Sequence, residues 1–157
     1  MSEHAPKIAI ARADPHLPEL TAMIRELDQY MAALYPAASN HLVDVDTLAQ
    51  PRVRFFGVSV NGVYCGCGAI MLHGQEYAEV KRIFVRPVQR GLGLARSLLQ
   101  RLEEEARAEA ISLLRLETGI SQPEALALFE HSGYVRCRAF GDYPVDDPYS
   151  VFMEKRI

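Results

Sequence analysis

The sequence predicts an α/β (α+β) fold in which about four helices flank a mixed, mostly antiparallel sheet of six or seven strands. Apolar residues alternate with a period of two in several short runs, and elsewhere they recur at three- and four-residue steps. These are the periods of half-buried strands and of amphipathic helices. The two patterns interleave along the chain, which is typical of the α/β class. The length of 157 residues predicts one domain that comprises residues 1–157.

The N-terminal part is expected to begin with a strand followed by a helix. Apolar and polar residues alternate over Lys7–Arg12, which predicts the strand. After a turn at Asp14-Pro15, apolar side chains form one stripe at helical spacing, so a helix is expected from Leu17 to about Tyr35-Pro36. A polar stretch follows, with one helical turn expected near Asp44–Ala49.

An antiparallel meander is predicted next. Alternation begins near Arg52 and is interrupted by Asn61-Gly62, a pair that favours a type I′ hairpin because both central residues need a positive φ. The second strand of the hairpin runs to about Leu72. A turn then leads to a third strand, Tyr77–Arg86, which ends before Pro87.

The C-terminal half alternates helices and strands. A helix of about 16 residues is expected from Leu94, and the strand after it, Ile111–Glu117, is expected to be parallel to the third meander strand because a helix connects them. Ser121 and Glu124 have the spacing of a capping box, which predicts a short helix that ends at His131. Two final strands are expected, Tyr134–Arg138 and Ser150–Lys155.

Composition argues against several classes of partner. The 17 Lys and Arg residues against 20 Asp and Glu give a net charge of −3, whereas a nucleic-acid-binding protein normally presents a basic face. No apolar stretch approaches the ~20 residues that span a bilayer. The first residues resemble no leader sequence, so a cytoplasmic protein without membrane association is expected. Three cysteines in a chain of this length do not make a disulfide framework.

Two clusters of potential metal ligands are interpreted as structural. Cys65 and Cys67 are expected on one face of a strand, and two thiols alone do not make a zinc site. The run Glu103–Glu105 is expected to be a solvated helix face. No metal site is therefore predicted.

The segment between the meander and the next helix carries the clearest chemical signal. A strand ends at Pro87, and a turn that contains Gly91 and Gly93 then enters an amphipathic helix. The glycines let the backbone come close to a ligand, and the helix N-terminus offers unpaired N–H groups at its positive dipole end. Arg90 and Arg96 add positive charge. The segment therefore predicts a site for a phosphate or pyrophosphate.

Known phosphate-binding patterns narrow this prediction. A dinucleotide fingerprint would need glycine where Arg96 stands, and the P-loop sequence is absent. Instead, Arg90, Gly93 and Ala95 match the R/Q-x-x-G-x-G/A pattern. By this motif the chain resembles the GNAT superfamily of N-acetyltransferases.

Other segments extend the resemblance over nearly the whole chain, from about Lys7 to Ile157. The strand Val80–Pro87 resembles the family's fourth strand, and Gln122–Tyr134 resembles its N-x-x-A-x-x-L-Y-x-x-x-G-F segment. Three further pieces resemble a bacterial branch of the family: Leu116–Gly119, Gly141–Tyr143 and Ser150–Lys155.

The resemblance implies a sheet splayed between its fourth and fifth strands, with acetyl-CoA as co-substrate. In relatives the fourth strand pairs with the pantetheine arm of acetyl-CoA. The residues that the resemblance and the anion cradle together assign to acetyl-CoA binding are Ile83, Phe84, Val85, Gln89, Arg90, Gly91, Leu92, Gly93, Leu94, Ala95, Arg96, Gln122, Ala125 and Phe129.

The resemblance also implies acetylation of a primary amine, of a small molecule or a peptide, by direct attack in a ternary complex. Glu79 stands where several relatives carry a general-base glutamate; the alternative is an exposed strand carboxylate paired with Lys81 or Arg82. The N–H of Ile83, or that of a neighbour, is expected to stabilise the developing oxyanion, a kind of interaction that supplies about 3 kcal/mol.

Two residues depart from the family pattern. Gln122 replaces the usual Asn and keeps an amide for the pantetheine. Phe129 replaces the Tyr that is commonly proposed to protonate the departing thiolate, and a phenyl ring has no proton to give. Tyr143 and His131 are alternative donors, as are water and the attacking ammonium. The departure keeps a second function open, that of a catalytically weak acyl-CoA-binding sensor or regulatory module.

The sequence does not specify the acceptor amine. In relatives, the end of the first helix and the loop after it line the acceptor pocket, which makes Tyr35 and His41 candidates for acceptor contact. Relatives are often dimers through their last strands, so the resemblance also suggests a homodimer.

Overall fold

A computed structural model describes residues 5–157 of the chain. Within this range, seven strands form one sheet in the order β1-β2-β3-β4-β5-β7-β6. Neighbouring strands are antiparallel except β4 and β5, which are parallel. The predicted mixed, mostly antiparallel sheet is thus confirmed. The strands are β1 Ile8–Arg12, β2 Val53–Val60, β3 Val63–His73, β4 Tyr77–Val85, β5 Leu113–Gly119, β6 Val135–Arg136 and β7 Ser150–Arg156.

Helices cover both faces of the sheet. They are α1 Pro18–Leu34, α2 Val45–Leu48, α3 Leu94–Ala108 and α4 Pro123–His131. The apolar stripe of α1, which includes Leu20 and Ile24, packs with α2 on one face. Leu98 and Leu102 of α3 pack with Phe129 of α4 on the other face. The spacing of these buried positions is the one that makes a helix amphipathic.

β4 and β5 separate soon after they pair. Backbone pairing joins only Ala78 to Leu114 and Glu79 to Arg115, although β4 continues to Val85. Beyond these two pairs, no strand among residues 5–157 pairs with the β4 edge on the β5 side, and the sheet opens into a V. The splay implied by the family resemblance is confirmed. An open strand edge presents backbone N–H and C=O groups that a ligand can bind.

A bulge in β4 lies at this opening. Cys67 and Ala69, two residues apart on β3, face residues that are three apart on β4. β4 therefore has one more residue than β3 in this stretch, and the stretch contains Arg82, which has a φ of +57°. A bulge re-aims the side chains around it. Lys81 and Ile83, on either side of Arg82, both line a cavity in the V.

A bulge in β3 corrects the expected arrangement of its two cysteines. The β2–β3 register shifts between Val58 and Ser59, opposite Cys65. Cys65 therefore packs with the core beneath α3, whereas Cys67 packs beneath α1. The expectation that both thiols share one face is wrong because it assumed an uninterrupted period of two.

The start of α4 differs from the expected capping box. Gln122 is the N-cap residue, and no side-chain hydrogen bond caps the helix within residues 5–157. The Ser121 N–H donates to the hydroxyl of Tyr35 at 3.1 Å, and Glu124 accepts from Arg90 at 3.3 Å. A tertiary contact from the end of α1 therefore holds the residue before the N-cap, and does not cap the N–H groups of α4.

The expected solvated face at Glu103–Glu105 is wrong for its first residue. Glu103 is only 5 % exposed. Its Oε1 accepts hydrogen bonds from Lys155 Nζ at 2.7 Å and from the Tyr134 hydroxyl at 3.4 Å. Lys155 belongs to β7, so this ion pair ties α3 to a distant strand of the sheet.

Replacing Glu103 with alanine is expected to destabilise the fold by about 2 kcal/mol, because Lys155 and Tyr134 lose a charged partner in a mostly buried site. Urea unfolding at pH 7 measures the loss. Glu104→Ala is the matched control, since the Glu104 side chain is exposed on the same helix. Equal unfolding free energies for the two variants would contradict a structural role of the Glu103 ion pair.

Candidate active site

The turn before α3 forms a backbone cradle. Gly91 and Gly93 have φ values of +93° and +71°, and Gly93 is the N-cap of α3. A Cβ placed on either glycine would meet no protein atom within 4 Å, so the space above the turn is open. Within residues 5–157 no side chain caps α3. Its first N–H groups are therefore available to an anion, as the sequence predicts.

A cavity of about 410 Å³ extends from this cradle along the open edge of β4. Twelve of the residues predicted to bind acetyl-CoA line it: Ile83, Phe84, Val85, Gln89, Arg90, Gly91, Gly93, Leu94, Ala95, Arg96, Gln122 and Ala125. Its lining, which includes Arg90, Arg96 and the α3 N-terminus, suits an anionic ligand. Below it is called the cradle cavity.

Leu92 and Phe129, both predicted to bind the cofactor, lie outside the lining of the cradle cavity, whereas Arg90 lines it and makes further contacts. Leu92 is half-exposed on the turn and is not among the residues that line the cradle cavity. Phe129 lines a second cavity instead. Arg90 lines the cradle cavity and bridges its two walls, because its Nε donates to the Val85 carbonyl at 3.2 Å and its Nη1 to Glu124 Oε2 at 3.3 Å. Both charged side chains are exposed, so this pair is weak.

The second cavity, of about 120 Å³, lies on the other side of the V. Its aromatic and polar lining residues come from the segment after α1, β4, β5, the start and middle of α4, and the loop before β7: Tyr35, Ser39, His41, Lys81, Arg82, Glu117, Thr118, Gln122, Phe129, Tyr143 and Tyr149. Below it is called the inner cavity.

The two cavities meet between β4 and α4. Ile83, Gln122, Ala125 and Leu128 line both. Tyr35 and His41, which the family resemblance associated with an acceptor, both line the inner cavity. A group that extends along β4 from the cradle would therefore reach a second molecule at this junction.

Glu79 lies in a hydrogen-bonded cluster beside the inner cavity. It is 3 % exposed and is not among the residues that line either cavity. Oε1 is bound to His73 Nε2 at 2.9 Å, and Oε2 is bound to Lys81 Nζ at 2.8 Å and to the Tyr143 hydroxyl. The predicted partner Lys81 is present, but the site is buried rather than exposed. A general-base role for Glu79 stays a prediction.

Tyr143 is the link between Glu79 and the inner cavity. Its ring packs against Phe140 and Phe152, and its hydroxyl donates to Glu79 while it accepts from Lys81. Burial, reinforced by the Glu79 charge, raises the pKa of the Tyr143 hydroxyl far above its usual value. That hydroxyl is therefore a weak acid in this state.

Glu117, near the end of β5, is a carboxylate that sequence reasoning missed. It lines the inner cavity directly, and its Oε1 accepts from the Ser150 hydroxyl at 3.5 Å. Burial raises the pKa of Glu117 to about 7, an effect that the nearby Lys81 ammonium opposes. The feature of the sequence that could have identified Glu117 is its position near the carboxyl end of a strand. Ligands bind at the carboxyl ends of strands in open α/β sheets, at the point where the sheet opens.

A family model described as the acetyltransferase (GNAT) family matches residues 20–134. The matched range contains the open β4 edge, the glycine cradle and α4. The chain belongs to the GNAT acetyltransferase family.

Relatives of this GNAT protein match it over nearly the full chain. An IAA acetyltransferase from Azospirillum brasilense is 46% identical over 151 residues, which are 96% of this chain and 98% of that protein. The structure of a candidate acyl-CoA N-acyltransferase from Klebsiella pneumoniae is 36% identical with a TM-score of 0.80, covering 95% of this chain and 97% of that one. The PaiA N-acetyltransferase of Thermoplasma acidophilum, solved with coenzyme A, has a TM-score of 0.74 at 15% identity, covering 96% and 99%; this supports the fold alone.

His131, an alternative proton donor suggested by the sequence, lies away from both cavities of this GNAT protein. His131 is exposed at the end of α4 and lines neither cavity. Over residues 5–157, no helix combines the length and apolarity that a bilayer crossing requires. In the same part of the chain, no cluster of His, Cys, Asp and Glu has the arrangement of a metal site.

Proposed function

We propose that this protein is an acetyl-CoA-dependent N-acetyltransferase that acts on a primary amine of a small molecule or a peptide, by direct attack in a ternary complex. The observation that carries the proposal is the meeting of the cradle cavity and the inner cavity at the open edge of β4. A thioester held from one side is thereby exposed to an acceptor held on the other.

The residues around the cradle suit the parts of acetyl-CoA. The α3 N-terminus, with Arg90 and Arg96, would hold the pyrophosphate. The unpaired β4 edge and the Gln122 amide would hold the pantetheine arm through hydrogen bonds. When bound, acetyl-CoA supplies an activated acetyl group as a thioester. The N–H of Ile83, in the β4 bulge region, is our candidate for stabilising the oxyanion.

The acceptor must lose a proton for the reaction to balance. An amine with a pKa near ~10 is mostly protonated at neutral pH, so a group on the enzyme must accept that proton. Glu117 faces the inner cavity directly, whereas Glu79 reaches it only by way of Tyr143 and Lys81. We therefore assign proton acceptance to Glu117 and give Glu79 the task of holding Lys81 and Tyr143. Proton uptake by Glu79 through a water is the competing route.

Attack of the amine nitrogen on the thioester carbonyl forms the C–N bond and the oxyanion, and collapse of the oxyanion then breaks the C–S bond. The nitrogen gives up its second proton in this step, and the departing thiolate takes up one proton. Phe129 lines the inner cavity and has no hydroxyl for this purpose. Tyr143, the donor suggested by the sequence, lines the cavity, but its proton is held by Glu79 and its raised pKa makes it a poor acid. We therefore assign this proton to the attacking ammonium, directly or through water.

The three cysteines Cys65, Cys67 and Cys137 are free thiols. Because thiols stay reduced in the cytosol, this agrees with our proposal of a cytosolic location.

Free-thiol release across a panel of amines tests the activity. The panel includes polyamines, amino acids, aminoglycosides and peptide N-termini. We expect thiol release above the buffer rate with at least one acceptor. Acetyl-CoA binding without thiol release for any acceptor would favour the second function, an acyl-CoA-binding sensor, which the absent hydroxyl at Phe129 supports.

A further inference from the structure

Tyr35 links the end of α1 to the loop between β5 and α4. It is 6 % exposed, although it follows the last residue of the helix. Its hydroxyl accepts a hydrogen bond from the Ser121 N–H at 3.1 Å and donates one to Gln122 Oε1 at 3.1 Å. A single hydroxyl therefore holds two consecutive residues at the junction of the two cavities.

The hydrogen bond from Tyr35 fixes which side of the Gln122 amide is free. Oε1 is occupied as an acceptor, so the Nε2 amino group is the part left to donate. Within residues 5–157 Nε2 has no hydrogen-bond partner, and Gln122 lines both cavities. An amide with this orientation offers a donor to a carbonyl group in the cradle cavity.

Gly119 supplies independent evidence that the position of the hydroxyl is built into the fold. A Cβ on Gly119 would lie 1.8 Å from the Tyr35 hydroxyl oxygen and 2.1 Å from the ring carbon that bears it. Any side chain at position 119 would thus displace Tyr35. The ring is further held by an edge-to-face contact with Tyr149, with centroids 6.1 Å apart.

We propose that Tyr35 is a positioning residue for the co-substrate: its hydroxyl orients the Gln122 amide so that Nε2 donates to a pantetheine carbonyl of acetyl-CoA. This inference rests on the proposed function. It gives Tyr35 a different role from the acceptor contact that the sequence suggested, because the hydroxyl is engaged with Ser121 and Gln122 rather than free in the inner cavity.

A double-mutant cycle on the full chain tests the proposal. The variants are Tyr35→Phe, Gln122→Ala and the double variant, with KM and kcat measured for acetyl-CoA and Kd measured for CoA by calorimetry. Tyr35→Phe keeps the ring contacts and is expected to raise KM and Kd about three- to tenfold, the effect of one hydrogen bond. Its kcat should stay within about twofold. In the Gln122→Ala background the same change should have no further effect.

Gln122→Glu provides a second test that does not depend on Tyr35. It keeps an oxygen that accepts from Tyr35 but removes the Nε2 donor, so KM for acetyl-CoA should rise at least as much as in Gln122→Ala. Tyr134→Phe is the matched control: it removes a hydroxyl from another buried tyrosine, which is bonded to Glu103 and lines neither cavity. Its KM for acetyl-CoA should equal that of the wild type.

Three results would overturn the assignment of Tyr35. They are additive effects of the two single changes, a fall in kcat without a rise in KM for Tyr35→Phe, and an unchanged KM for Gln122→Glu. Each of these requires a wild-type protein that binds CoA. Absence of CoA binding by the wild type would instead contradict the proposed function, so the two failures are distinguishable.

Discussion

Glu117→Gln is expected to lower kcat/KM for the acceptor amine by about 100-fold or more at pH 7.5, the scale of a lost general base. Glutamine keeps the size of the side chain and its hydrogen-bonding oxygen, so the fold and the inner cavity should be retained. What it loses is the ability to take a proton from the acceptor. Purified enzyme, saturating acetyl-CoA and the best acceptor of the amine panel are sufficient for the measurement.

The dependence of kcat/KM on pH is expected to follow the ionisation of Glu117. The pKa of Glu117 is raised to about 7, chiefly by burial. Because a general base must be ionised to act, wild-type kcat/KM should fall as the pH drops through about 7, and this limb should vanish in Glu117→Gln. The groups that face the carboxylate are Lys81 and Glu79 from β4, Asp147 and Ser150 from the β7 side, and Tyr35 and Tyr143.

Glu79→Gln is the comparison that separates the two carboxylates. If Glu79 only holds Lys81 and Tyr143, this change should lower kcat but leave the acid limb near pH 7 in place. Loss of the limb in Glu79→Gln, with the limb retained in Glu117→Gln, would show that the proton goes to Glu79. An unchanged rate in both variants would place proton acceptance outside this pair.

Gly93→Ala should raise KM for acetyl-CoA at least about tenfold. At φ +71° an alanine is strained by about 1–2 kcal/mol, and its Cβ would project into the open space that we assign to the pyrophosphate. The damage is therefore directed at co-substrate binding as well as at stability. Steady-state kinetics with varied acetyl-CoA, together with thermal unfolding, measure both effects.

Gly74→Ala is a matched control for backbone strain. Gly74 also has a positive φ, +57°, with no protein atom within 4 Å of an added Cβ, but it lies in the β3–β4 turn and lines neither cavity. It should lose similar stability and keep the wild-type KM. Equal KM values for acetyl-CoA in the two variants would contradict the assignment of the pyrophosphate to the α3 N-terminus.

The sequence predicts the fold well because its main elements depend on local periodicity. The Asn61-Gly62 hairpin, the α1 stripe and the parallel relation of β5 to β4 all follow from short-range patterns, and they are observed. The bulges at Cys65 and Arg82 were not predicted, because one inserted residue changes the facing of a strand without an evident composition signal. The strand expected over Tyr134–Arg138 is observed, but only over Val135–Arg136, where β6 pairs with β7.

The site was predicted in part, for a related reason. The glycine cradle follows from a contiguous motif, so its residues are found along one cavity. The roles of Glu79 and Glu117 depend on where β4 and β5 diverge, which no single segment encodes. Both are strand carboxylates in the sequence, yet Glu79 is enclosed by His73, Lys81 and Tyr143, whereas Glu117 faces the cavity. The Tyr35 contact to Gln122 joins residues 87 positions apart and is invisible to motif analysis.

Calorimetric titration of the wild-type protein with acetyl-CoA tests the central claim most directly. We expect one site with a dissociation constant below about 1 mM, the upper range of enzyme–substrate affinities, and weaker binding by Gly93→Ala. No detectable heat of binding at millimolar acetyl-CoA, with a folded protein confirmed by circular dichroism, would contradict the account.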